Sequence, residues 1–460
     1  MTLSSSIPAV SRLRCFADSP SMASNPAAVL SKYHETFGDT LRFYLGGLKE
    51  AIVTIDPAVI QHVLKTNAEN YQKSEIQVRR MGHFLGKGLL TTHGEAWRTQ
   101  RRLIQTGFKD LGMLCSIMQD SLAESLRDFD RQIRVGSVDV YSHLMKMTFA
   151  MVARSLFGAR LKHEDIDLVS HTICTVQEFI VRQTLQPYLN PWFAVSGELR
   201  RHEEMRTRAF GVLLDYIRRR REEAPGHDLL QILMDARYSD GQGMSDELVL
   251  SESMQLLVAG HETSSNALSW LLYLLSSRPD CVDRVRQEFD SVLGEKPLSY
   301  SDVPKFEFTS QVILEALRLY PPFWIVDRMA LADDRAGDLA IPRGSTVVVF
   351  IYGVHHSPQY WENPESFDQE RFTKVREKLR TPFTHLPFGA GPRGCIGGNY
   401  AMLQILMILS VLLRKYDFRL VPGQTIEARP MVILRPEHGI RMTFTEAIPH
   451  GVGRLSDCLP

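Results

Sequence analysis

Three features that would settle a function early are missing from these 460 residues. Cysteine is sparse: the six, at positions 15, 115, 174, 281, 395 and 458, show no C-x-x-C or other zinc spacing. That excludes a zinc ribbon and argues against a disulfide framework. Neither sign of charge is in excess, because 53 Lys+Arg balance 53 Asp+Glu, so no global field draws the chain to nucleic acid or an anionic membrane surface. Long apolar runs are lacking too; Ala401 to Leu413 falls short of the 18 or so residues that span a bilayer. A reducing, cytoplasmic setting without an integral membrane anchor is the expectation. There is also no internal repeat, low-complexity tract or Gly/Pro-rich linker to divide the chain.

What remains is an ordinary globular balance, 44% hydrophobic and 23% charged, enough to bury a large core. One large domain over residues 25–460 follows, behind a flexible segment at 1–24. The first 17 residues carry Arg12, Arg14, several serines and no acid, faintly like a transit peptide, but Pro8 and the short apolar run argue against that.

Apolar periodicity predicts helices at Ile117–Ile133, Val140–Phe157, Ile166–Thr184, Glu198–Arg221, Asp246–Ser277, Cys281–Leu293 and Ser310–Tyr320. Strand patterns are short: Leu41–Leu45, Ala51–Thr54, Ile325–Leu331, Thr346–Tyr352 and a hairpin within Phe418–Thr445. The fold class is therefore mainly α with a small β region.

The helix after Ser245 is the longest, and at 1.5 Å per residue it would span about 48 Å. Its middle, Ala259-Gly260-His261-Glu262-Thr263-Ser264, puts polar groups where burial is deepest, and buried polar groups need partners or a purpose. Gly260 costs roughly 1 kcal/mol relative to Ala in a helix, which suggests close approach of a ligand or a local break in the hydrogen-bond ladder.

The sharpest signal is Phe388-Gly389-Ala390-Gly391-Pro392-Arg393-Gly394-Cys395-Ile396-Gly397, followed by an apolar helix starting near Asn399. Glycines let backbone approach a large flat ligand. A cysteine just before a helix N-terminus and near an arginine sits in positive potential that favours a thiolate, as nucleophile or as metal ligand.

This segment resembles the F-G-x-G-x-R-x-C-x-G haem-binding loop of the cytochrome P-450 haem-thiolate monooxygenases at all six fixed positions. The resemblance implies a single helical domain holding haem b between the long central helix and the helix after the cysteine loop. Cys395 would be the thiolate ligand to iron, Arg393 would pair a propionate, and Phe388 and Gly389 would form the loop beside the sulfur. Ala259 to Ser264 is similar to the family's oxygen-activation segment, implying Thr263 and Glu262 as a proton-delivery pair beside Gly260. Trp97 and Arg101 match the family's W-x-x-x-R, and Arg328 its strand arginine, all three implied propionate contacts. Glu315, Arg318 and, 53 residues on, Arg371 match a structural charge network. Gln369 departs from the family, which commonly has proline before Glu370-Arg371-Phe372.

The family's substrate walls map onto Ile76–Leu90, Phe179–Phe193, the long helix, Phe323–Val326 and Met431–Ile433, with Phe84, Leu256, Ala259, Phe323, Ile325 and Ile433 as pocket candidates. The implied activity is insertion of one oxygen atom from O2 into a lipophilic small molecule such as a fatty acid, terpenoid or polyketide of secondary metabolism. A peroxide-driven enzyme and a haem protein that only binds a ligand are the alternatives. No flavin, nicotinamide or iron-sulfur segment is left over, so the family implies an external ferredoxin or flavodoxin with its reductase. Such a carrier would dock near Arg98, Arg102 and Lys109. A monomer is expected.

Overall fold

The helix periods materialise nearly where the apolar pattern places them. This computed structural model describes residues 7–447 apart from 75, 109, 110, 159, 160, 224 and 239; Lys109 and Cys458 lie outside the described residues. The central helix runs Asp246–Leu275. Ser245 caps it, its hydroxyl accepting from the Leu248 amide at 3.3 Å, with Asp246 and Glu247 in the positive first turn. It is buried on nearly all faces, as a helix apolar all round must be.

Helix Val140–Phe157 is its most extensive neighbour. Glu198–Glu222, Glu307–Leu319 and Gly398–Lys415 also pack on it, and His163–Leu185 packs on Glu198–Glu222. One continuous core joins these helices, and a second lies beneath the sheet.

That sheet has five strands, ordered Thr40–Leu45, Lys49–Thr54, Thr346–Val349, Val326–Ala330 and Tyr71–Gln72. Neighbours are antiparallel except Lys49–Thr54 with Thr346–Val349, where Val53 faces Val348. Arg328 pairs with Val347 in register. In the C-terminal region Ala428–Pro430 and Leu434–Pro436 form the expected hairpin.

Two expectations change. The strand expected through Tyr352 ends at Val349, where the β-branched run stops, and Ile351–His356 is helical. Within the segment expected to be flexible, Arg12–Ala17 and Ser19–Ser24 are helices, and Val10 and Cys15 are buried. The cause is strand pairing: Val10 N donates to Arg42 O, and Arg42 N to Pro8 O, both at 2.9 Å, which ties a terminus down. Among the described residues, no helix is long and apolar enough to cross a membrane.

Candidate active site

The cysteine loop is shaped by backbone that only glycine tolerates easily. Gly389 and Gly391 have φ of +67° and +68°, and a Cβ on Gly391 would stand 1.8 Å from Leu64 O. The loop then folds back so that Cys395 N donates to Phe388 O at 2.8 Å, three residues before the helix Gly398–Lys415.

Cys395 opens into a cavity of about 550 Å³. The described residues hold no group of three or more His, Cys, Asp or Glu able to bind a metal ion, and the thiol at this cavity is that of Cys395. Burial pushes the Cys395 thiol up, opposed by the Gly397 amide and the Arg101 charge. The Gly397 amide and the Arg101 charge thus favour the thiolate in the direction expected of this loop, and the charge of a bound metal would add to them against desolvation.

Phe388, Gly389 and Arg393 also line the cavity, as do Trp97, Arg101 and Arg328. The Phe388 ring lies beside Gly398. The Arg393 guanidinium lies over the Trp97 indole at 4.0 Å, and Arg101 donates to Gly394 O at 2.8 Å. A fourth cation, Lys73, had no sequence signal, since lysine is normally exposed. It is buried in the same wall and donates to Leu89 O and Leu90 O at 2.8 and 2.7 Å. Arg328 donates to Asp327 O at 2.7 Å and Arg393 to Thr92 O, so all four cations make hydrogen bonds to backbone carbonyls. Burial, and after it the repulsion of neighbouring cations, push Lys73 well down and Arg393 down to about 10.

A cysteine sulfur, apolar walls and this cluster of positive charge suit an iron porphyrin with two propionates. The donor set fits haem.

Gly260 and Thr263 reach the cavity, but Glu262 is not part of its wall. Successive helical residues point about 100° apart, and the cavity meets Thr263 and Ser264 while Glu262, on the other side of Thr263, lies off its wall. Thr263 donates to Ala259 O at 2.7 Å. The helix is unbroken at Gly260, so of the two expected readings the local break does not hold, while the residue does border the cavity. A Cβ at 260 would lie 3.0 Å from Val152 Cγ2, so this glycine lets helix Val140–Phe157 approach.

Glu262 is buried, and burial pushes its carboxyl up. Gln177 hydrogen-bonds to it and itself lines the cavity. Sequence gave no reason to single out Gln177.

Of the pocket candidates, Leu256, Ala259, Phe323, Ile325 and Ile433 line the cavity and Phe84 does not. Phe84 packs edge-on to Phe179 at 6.0 Å in a satellite core with Phe193. Met81 lines the cavity instead, from the turn that precedes Phe84.

The charge network assembles in the core. Arg318 Nε and Nη2 donate to the two oxygens of Glu315 at 2.7 and 2.8 Å, both side chains fully buried. Arg371 Nε lies 3.4 Å from Glu315 Oε1, and Asp368 N donates to the same oxygen at 2.9 Å. At the expected docking face, Arg102 is exposed, but Arg98 pairs with Glu95 and Glu69 at 3.2 and 3.8 Å, so part of that charge is neutralised locally.

The family model Cytochrome P-450 matches residues 9–444. Cyclooctat-9-en-7-ol 5-monooxygenase of Streptomyces melanosporofaciens is 29% identical over 394 residues, 85% of this chain and 84% of that one. The human ultra-long-chain fatty acid omega-hydroxylase is 26% identical over 467 residues, 93% of this chain and 88% of that one. Among solved structures, a cytochrome P-450 haem domain superposes with a TM-score of 0.87 at 22% identity, covering 96% of this chain and 98% of the other. A retinoic-acid-bound cyanobacterial protein, CYP120A1, gives 0.79 at 26%, covering 90% and 93%.

Proposed function

This chain belongs to the cytochrome P-450 family of haem-dependent monooxygenases, and on that premise we propose that it hydroxylates a lipophilic small molecule such as a fatty acid, terpenoid or polyketide. Its cofactor is haem b with the Cys395 thiolate as axial ligand. The observation that carries the substrate class is the cavity above Cys395, whose wall is built from Leu256, Ala259, Phe323, Ile325 and Ile433. Such a wall rewards apolar surface and offers few groups for a polar ligand. The relatives support the same class, since their names cite a cyclic terpenoid alcohol, ultra-long-chain fatty acids and retinoic acid.

Bound haem supplies the chemistry that places one atom of O2 in the substrate and releases the other as water. The protein's share is positioning and proton management. Cys395 would hold the iron through its thiolate, while Arg101, Arg328 and Arg393, with the Trp97 N–H, would hold the propionates. Thr263 presents a hydroxyl at the cavity and keeps a proton at its Oγ1. Glu262, whose carboxyl burial pushes up, stores the proton that replaces it. The apolar wall keeps bulk water from competing. Electrons come from an external donor of the ferredoxin or flavodoxin kind, docking beside Arg102.

The test has two stages. The reduced protein under carbon monoxide should give the strongly red-shifted Soret band of a haem thiolate. A panel of fatty acids, terpenoid alcohols and polyketides should then be screened for displacement of the ferric water ligand, with product analysis of each hit. Spectral shifts from polar metabolites alone would overturn the substrate class, and a chain without the red-shifted band would overturn the ligand assignment.

A further inference from the structure

The loop from Gly86 to Thr92 crosses the central helix on two glycines. A Cβ at Gly86, whose φ is +80°, would stand 2.3 Å from Ser251 Oγ, and one at Gly88 would stand 2.8 Å from the Gln255 side chain. That close approach brings the backbone of Leu89 and Leu90 onto buried polar groups. Leu89 N donates to Glu252 Oε2 at 3.0 Å and Leu90 N to Gln255 Oε1 at 2.7 Å. Their carbonyls take the two hydrogen bonds from Lys73, which follows strand Tyr71–Gln72. Gln255 Nε2 adds bonds to Gly86 O and Thr91 Oγ1, both at 3.0 Å. Both amides and both carbonyls of the two leucines are therefore held by three side chains of other elements, all of them buried.

Leu89, Leu90 and Lys73 line the haem cavity, whereas Glu252 and Gln255 do not. An amide side chain is enough to accept from a loop N–H, as Gln255 shows, so the acid at 252 supplies something more. Among the described residues its Oε1 has no hydrogen-bond partner, and a buried carboxylate is costly to keep. What it adds is charge. Burial pushes the Glu252 carboxyl up to about 7, against the Leu89 amide and the charge of Lys73. Tyr238, on the turn after helix Leu229–Asp235, also feels that charge. Arg206 of helix Glu198–Glu222 is engaged with Phe84 O at 3.0 Å, and Lys87 of the loop is exposed. Lys73 in turn is pushed down by burial and then by Arg393, Arg328 and Arg101, and the charge of Glu252 opposes this.

We propose that Glu252, Gln255 and Lys73 are positioning residues that fix the Leu89–Leu90 wall of the haem cavity, and that the charge on Glu252 decides how large a ligand this wall admits. The proposal rests on the haem-thiolate reading above and is independent of the substrate class. As a carboxylate, Glu252 binds the Leu89 amide through a charge-assisted hydrogen bond, roughly twice as strong as a neutral one. It also supports the charge that Lys73 brings to the two carbonyls. Once protonated, it does neither at full strength. The wall is therefore tight above the Glu252 midpoint and loose below it, while Gln255 holds Leu90 in either state. No proton passes to the cavity in this scheme; Glu252 acts only through the position of the leucines.

The test uses the haem-loaded protein without substrate, at about pH 8 and about pH 6, on either side of the midpoint. Amide hydrogen exchange, read by mass spectrometry and corrected for the intrinsic rate, needs no variant. It should give Leu89 a protection factor about tenfold lower at the acid pH, with Leu90 changing less and Leu257, inside the central helix, not at all. Affinities for imidazole and for a triaryl-substituted imidazole, read from the Soret shift, should favour the bulky ligand more at the acid pH. Glu252→Gln carries no charge and should show the acid-pH preference at both pH values; comparing it with wild type cancels the protonation of the azoles themselves. Lys73→Met removes a favourable charge and should raise the midpoint of the step. Gln255→Leu should relax the preference at both pH values and keep the step. A contact of merely structural worth would weaken both azoles and give no step. Leu89 protection that does not change with pH, the same pH step in wild type and Glu252→Gln, a lower midpoint in Lys73→Met, or wild-type preference in Gln255→Leu would overturn the proposal. A wild-type protein without the red-shifted carbon monoxide band would instead overturn the haem-thiolate reading.

Discussion

The Arg393 guanidinium carbon lies 4.0 Å from the centre of the Trp97 ring, so a residue of the cysteine loop is clamped to a helix nearly three hundred positions earlier in the chain. A desolvated cation over indole contributes up to about 2 kcal/mol, and here it aims two donors at one region of the cavity. Trp97→Ala should leave the fold intact and speed haem loss by about tenfold or more, read as transfer to apomyoglobin. Trp97→Phe keeps the ring face and should lose less. Equal rates in all three proteins would show that the stack does not hold the cofactor.

Gly260 and Val152 make a second pair whose energetics can change sign. Alanine is worth about 1 kcal/mol more than glycine in a helix, but its Cβ would stand 3.0 Å from Val152, and overpacking costs about 1–3 kcal/mol. Gly260→Ala should therefore destabilise the wild-type protein and stabilise Val152→Ala. A double-mutant cycle by urea unfolding gives the coupling directly. Additive effects would mean that the helices are not held apart by this contact.

Thr263→Ala should keep the haem spectrum and divert reducing equivalents to hydrogen peroxide, two electrons and two protons leaving with each O2. Thr263→Ser keeps the hydroxyl and should couple better than the alanine variant. The readout is peroxide formed per electron pair with a surrogate donor. Unchanged coupling in Thr263→Ala would remove the hydroxyl from the mechanism.

What could be read from the sequence tracks how local the chemistry is. The loop Phe388 to Gly397 was legible because its glycines, arginine and cysteine are contiguous and serve one ligand. Val140–Phe157 came out with its observed ends because Asp139 caps it and Gly158, at φ +71°, stops it. Lys73 and Gln177 were invisible because each becomes meaningful only once distant elements fold over it. Glu262 was legible as an acid, while its direction was not, since which positions of the helix border the cavity is set by the elements packed around it. Phe84 went wrong for the same reason: apolar character was clear, but which side of a single turn faces the cavity was not.

The Glu315–Arg318 pair is fully buried, and removing one partner of such a pair costs about 3–5 kcal/mol. Glu315→Gln and Arg318→Ala should each lower the thermal midpoint steeply and yield mostly haem-free protein. Arg371 sits farther from Glu315, at 3.4 Å, and its Nη2 has a separate partner in Asn363 O. Arg371→Ala should cost less than either. Comparable losses from all three would show that Arg371 braces the core as strongly as the Glu315–Arg318 pair.

Four buried histidines make stability depend on pH in a definite direction. Burial holds His261 and His356 down to about 4, His385 down to about 3 and His355 well below the ordinary value. The unfolded chain binds these protons near pH 6.5 and the folded one does not, so the stability is fully present above about 6.5 and is lost as pH falls towards about 4. Between about pH 7 and about pH 5 His261 should remove about 2 kcal/mol from the unfolding free energy. His261 is the one to test, since its Nδ1 is satisfied by Leu257 O at 2.7 Å and its ring packs on Phe149 at 5.0 Å. His261→Leu should make the pH dependence shallower by about one histidine's share in urea titrations at the two pH values. An unchanged slope would mean that His261 takes up its proton in the folded protein as readily as in the unfolded one.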